Sequence, residues 1–150
     1  MKTLSAVCTC FILFLTPALS LATLGEPIDS STKNLSSLKV AQKASVDEKY
    51  SVQEYEKNGN TVREYATPAG LVFAVSWRGI SKPDLPTLFG SYFAEYKAAL
   101  DEVPKQYGVK SISMKTSKMV IRRGGRMRDQ RGFAYVPSLV PEGVNLEDLP

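Results

Sequence analysis

Histidine is absent from all 150 residues, and there are only two cysteines, Cys8 and Cys10. Without imidazole there is no Ser-His or Cys-His pair to make a nucleophile. The commonest nitrogen ligand for a metal is missing too. With no thiol beyond position 10, the chain offers no usual zinc site. No metal and no cofactor is expected, and catalysis would have to run on carboxylates, Lys, Arg or Tyr. Long apolar runs are also scarce. The longest, residues 4–15, falls short of the about 20 residues that cross a bilayer. Internal repeats are absent, and so are glycine-rich phosphate loops and a serine elbow.

What stands at the front is Lys2, that short apolar run, and small residues at Ser20 and Ala22. This reads as a signal peptide over residues 1–22, cut after Ala22. Both cysteines lie within it, so the mature chain is expected to be thiol-free, without a transmembrane segment, and exported to the periplasm or beyond. Asn34-Leu35-Ser36 is a formal glycosylation triplet, relevant only in a eukaryotic secretory pathway.

The mature portion is long enough for one domain with a real core. Residues 23–47 are rich in Ser, Thr, Lys and Asn and poor in large apolar side chains. They are predicted to be a flexible lead with one short element near 35–40. Residues 48–150 are predicted to form a single α+β domain. Net charge is +4, but residues 105–131 hold 9 basic residues against one acid, Asp129.

Tyr50–Lys57 and Asn60–Ala66 flank Asn58-Gly59, the strongest short hairpin signal. A two-residue turn there sets Glu56 against Thr61, Tyr55 against Val62, Glu54 against Arg63 and Val52 against Tyr65. Thr67-Pro68-Ala69-Gly70 suits a type I turn. Residues 71–77 are apolar on both faces, with Leu71, Phe73, Val75 and Trp77 one way and Val72 and Ala74 the other. Such a strand belongs at the centre of a sheet. Asp84 can cap a helix whose stripe of Leu85, Leu88, Phe89, Tyr92, Phe93, Tyr96, Leu100 and Val103 keeps a 3.6-residue period up to Pro104. Gly90 interrupts it, for which close approach to a strand is one reason. Residues 109–115, 118–123 and 126–136 read as strands, the last two turning at Gly124-Gly125. Ile112, Met114, Val120 and Ile121 are their buried candidates, together with Phe133 or Tyr135, and residues 144–149 suit one helical turn. The predicted fold is an antiparallel sheet of five to six strands in hairpins and meander, with one main amphipathic helix on one face.

Arg131-Gly132-Phe133-Ala134-Tyr135-Val136 nearly spells an RNA-recognition signature. That domain needs a further helix and strand, and only 14 residues follow Val136. Nucleic acid is therefore not an expected partner. With the turn at Gly124-Gly125, Arg123, Arg126 and Arg128 share one face, either a solvated charged edge or a site for an anion. The partner would be an acidic polymer, a lipid head group or an acidic protein of the envelope, with Trp77 or Tyr135 as stacking platforms. Glu54, Glu56 and Glu64 are the candidates for paired-carboxylate hydrolysis of an envelope polysaccharide. Glu54 is expected to pair with Arg63, leaving Glu64 on the other face, so no catalytic residue is assigned and an enzyme is the minority reading.

Two blocks carry a resemblance. One is Thr61-Val62-Arg63-Glu64-Tyr65, then Pro68-Ala69-Gly70-Leu71-Val72-Phe73-Ala74-Val75-Ser76-Trp77 and Pro83-Asp84-Leu85. The other is Gly124-Gly125-Arg126-Met127-Arg128, then Gly132-Phe133-Ala134-Tyr135-Val136-Pro137-Ser138-Leu139. In order and spacing they resemble an exported bacterial family named domain of unknown function 2844, over most of the mature chain. The resemblance implies a signal-bearing bacterial protein and brings no assigned activity. A histidine is usual in that family where Arg126 stands, so any role needing imidazole there does not carry over.

Overall fold

The computed structural model describes residues 24–28, 46–47, 49–104 and 111–149. The predicted signal peptide, the glycosylation triplet and the element near 35–40 lie outside them. The described strands form one antiparallel sheet: β1 (Val46–Asp47), β2 (Tyr50–Lys57), β3 (Asn60–Ala66), β4 (Val72–Gly79), β5 (Ser111–Lys115), β6 (Val120–Arg126) and β7 (Asp129–Tyr135). Their spatial order is β1-β2-β3-β4-β7-β6-β5. Two meanders thus meet where the last strand docks on the central one. The predicted α+β sheet is present, with six full strands and a two-residue addition at one edge.

The first hairpin forms as its turn demands. Asn58 (φ 54°) and Gly59 (φ 74°) both take positive φ, which a type I′ turn requires. All four expected cross-strand pairs, from Glu56 with Thr61 to Val52 with Tyr65, are in register. The next turn closes with Gly70 N–H donating to the Thr67 carbonyl at 2.8 Å. The pairing then slips between Tyr65 and Ala66, where a bulge adds one residue to β4. This corrects the expected facing of the central strand. Val72 joins Val75 and Trp77 on one face, while Phe73 joins Ala74 and Tyr65 on the other.

Asp84 caps the helix, accepting from the Thr87 N–H and hydroxyl. All eight residues of the predicted apolar stripe pack into one cluster with Val62, Val75, Trp77, Met114 and Ile121. The helix is broken, however, into α1 (Leu85–Phe89) and α2 (Phe93–Glu102) by a 3₁₀ turn over Gly90–Tyr92. Gly90 sits at φ 47°, ψ −120°, a backbone open essentially to glycine. That conformation by itself requires glycine there. Glu95 of α2 accepts from Ser117 Oγ (2.9 Å) and Lys118 N–H (3.0 Å), tying the helix to the β5–β6 turn.

The C-terminal stretch covers part of the other face. Leu139, Val140, Val144, Leu146 and Leu149 pack on Tyr65, Phe73 and Phe133, and the Tyr65 hydroxyl donates to the Leu149 carbonyl. The helical turn expected over 144–149 is replaced by turns, with a 3₁₀ turn earlier at Pro137–Leu139. Within the expected lead, residues 24–28 lie against the start of β4. Gly25 N–H donates to the Val72 carbonyl at 2.8 Å, Val72 N–H donates to the Glu26 carbonyl at 3.0 Å, and Leu24 is fully buried.

Candidate functional site

The β6–β7 hairpin decides which arginines meet. Arg126 pairs with Asp129, Gly125 with Gln130 and Gly124 with Arg131, so the two turn residues are Met127 and Arg128. The expected Gly124-Gly125 turn is corrected. It would have set Ile121 against an arginine, whereas the observed register sets Ile121 against Ala134 and Val120 against Tyr135. Apolar matching across the strands outweighs the local turn preference of Gly-Gly. Arg128 takes the left-handed backbone at φ 66°, and Gln130 Nε2 braces the turn by donating to the Arg126 carbonyl at 2.8 Å.

The corrected register divides the three predicted arginines. Arg123 points to the helix side, with its guanidinium 5.7 Å from the Tyr96 ring centre. Arg126 points to the opposite, open face, and Arg128 sits on the turn itself. Trp77 is buried and packs on Phe89, with ring centres 5.9 Å apart, so it offers no free ring face to a ligand. Its indole fills the space over Gly132, where an added Cβ would lie 2.1 Å from Cζ2. Tyr135 lies on the open face, half-buried beside Phe133.

The paired registers map the open face. One row across the strands reads Thr61, Arg78, Arg131, Gly124, Ser111; the next reads Arg63, Ser76, Phe133, Arg122, Ser113. Rows two residues apart lie about 7 Å from each other. Small residues leave the floor low and arginines raise the walls. The result is a hollow of about 1300 Å³, lined among others by Arg63, Arg78, Arg122, Arg126 and Arg131, with Leu146 and Glu147 of the tail at one side. Gly124 therefore serves as floor, not as turn.

Some of this charge is already engaged. Arg63 Nε meets Glu54 at 2.5 Å, and Asp129 lies between Arg131 (3.3 Å) and Arg78 (3.7 Å). Arg122 and Arg126 are exposed and have no carboxylate partner among the described residues. Sequence reasoning missed Arg122, Arg131, Arg78 and Arg63. The recoverable signal was the matching of Ile121 with Ala134, which puts the turn at 127–128 and Arg122 on the face with Arg126.

The carboxylates do not converge. Glu54 faces the hollow in its pair with Arg63, and Glu56 is exposed. Glu64 lies on the helix side, fully buried, where its carboxylate accepts from the Tyr55 hydroxyl at 2.7 Å and its Oε2 has no partner. Burial pushes the Glu64 carboxyl up to about 7, against the opposing effects of Tyr55 and Lys57, and pushes the Tyr55 phenol well above its usual range. The sheet separates Glu54 from Glu64, so the two cannot flank one bond.

The fold and the hollow define a class first: an antiparallel α+β domain with an arginine-walled face opposite its helix. Within that class the chain belongs to a family described as "Protein of unknown function (DUF2844)", which matches residues 20–149. No curated protein and no solved structure matches the chain.

Proposed function

We propose that the protein is a non-enzymatic binding module of the bacterial envelope, exported by its signal peptide, that holds an acidic partner against the arginine-walled hollow. The observation that carries this is the pair Arg122 and Arg126, both exposed on the hollow and both without a carboxylate among the described residues. Arginine forks suit carboxylate, sulfate and phosphate groups, and a hollow lined by one sign of charge concentrates ions of the other. Thr61, Ser111 and Ser113, on the strands either side of the central ones, add hydroxyls for an oxygen-rich ligand.

The test is titration of the protein with polygalacturonate at low and high salt. Binding should weaken as salt rises. Changing Arg122, Arg126 and Arg131 together to Gln should abolish it, while Lys97→Gln, on the exposed side of α2, should leave it in place. Undiminished binding by the triple variant would sink the reading. The other class, a carboxylate hydrolase, would have to use Glu54 and Glu147, the two carboxylates that line the hollow.

A further inference from the structure

Two large apolar side chains are exposed among the described residues, Met127 at 92 % and Ile80 at 62 %. They stand at the same end of the sheet. Gly79 pairs with Gln130, next to Asp129 where β7 leaves the Met127–Arg128 turn, and Ile80 follows Gly79 with its N–H donating to the Gly59 carbonyl at 3.1 Å. Strand spacing puts the two backbones within about 10 Å. Met127 is the apex of a tight, braced hairpin, and the residues on either side of it, Arg126 and Arg128, are exposed cations. Arg78 and Lys82, also exposed, flank Ile80. The acid in this group, Asp129, is engaged by Arg78 and Arg131. Arg128 holds a left-handed backbone that glycine or asparagine would adopt at lower steric cost.

From this juxtaposition we infer that the β6–β7 hairpin tip is a membrane-contact element, with Met127 entering the interfacial layer of an anionic bilayer while Arg126 and Arg128 hold lipid phosphates. The inference rests on the reading of the arginine face as an anion site and commits that reading to one partner. A soluble polyanion would satisfy the cations and leave both apolar side chains in water. A bilayer surface takes both at once, apolar groups below the phosphates and cations level with them. One thioether and one isoleucine are a weak anchor, so attachment is reversible and depends on anionic lipid.

The experiment is flotation of the protein with vesicles of equal parts phosphatidylglycerol and phosphatidylcholine, beside vesicles of phosphatidylcholine alone. Polygalacturonate serves as the soluble control. The protein should float with the anionic vesicles only. Met127→Gln should weaken vesicle binding by about tenfold and, adding no charge beside Arg126, leave polymer binding unchanged. Arg128→Gln should weaken vesicle binding about fivefold. In Met127→Trp, the added indole fluorescence should shift to the blue on contact with anionic vesicles. Unchanged vesicle binding by Met127→Gln overturns the inference, as does polymer binding without vesicle binding, and in both cases the arginine site stands. Binding to neither probe overturns both.

Discussion

Glu64 is the residue at which position and chemistry conflict most. The hairpin register sets it on the face opposite Glu54, and with Gln53 on one side and Val75 on the other that face lies beneath the helix. Its carboxyl is raised by burial from 4.5 to about 7. A raised carboxyl favours the folded state in its protonated form. That contribution is complete below the unfolded value of 4.5 and is lost as pH rises through 7. Unfolding free energy, measured by urea titration, should therefore fall by about 3 kcal/mol between pH 4.5 and pH 8.5 through this group. Glu64→Gln should flatten that slope. A variant with the wild-type pH profile would show that Glu64 is not its source. The same scale holds the arginines. Their number and clustering were plain from the sequence, but which of them share a face turned on a one-step matter of register.

At the scale of elements, the helix was legible because its stripe is a local pattern. All eight apolar positions fall on the core side. The break was not legible, because glycine within a helix reads only as a weak spot until its dihedrals are known. Gly90→Ala should lower stability by about 1–3 kcal/mol in thermal unfolding, since φ 47° with ψ −120° excludes a Cβ at low energy. An unaltered melting temperature would show that the break tolerates a side chain. The two hairpins make the contrast sharper. Asn58-Gly59 gave a correct turn and four correct pairs, because both positions need positive φ and the sequence supplies residues that accept it. Gly124-Gly125 also carried a local turn signal and lies within a strand. There the apolar match of β6 to β7, worth more than one turn preference, moved the turn to Met127-Arg128.

At the scale of the whole molecule, among the described residues the helix covers one face of the sheet and the C-terminal tail covers part of the other. The tail's contribution can be measured. Removing residues 144–150 exposes the cluster around Tyr65, Phe73 and Phe133 and takes away the Tyr65 hydroxyl's acceptor. Stability in urea should drop by about 3 kcal/mol or more, with increased binding of a hydrophobic dye. An unchanged midpoint would mean the tail is not part of the cooperative unit. By itself, the sequence determined the helix stripe and its cap, the first hairpin and its register, the central place of β4, and the concentration of positive charge near the end of the chain. Each of these follows from residues close together in sequence, where periodicity and turn chemistry act. Only the tertiary structure decided that β7 docks on β4, that Phe73 and Val72 exchange faces across a bulge, that Glu64 is buried, and that Arg122, Arg126, Arg131, Arg78 and Arg63 ring one hollow. Those outcomes rest on contacts between distant residues, such as Tyr65 with Leu149, 84 positions apart. Their energy depends on which surfaces fit together, and no local pattern records that.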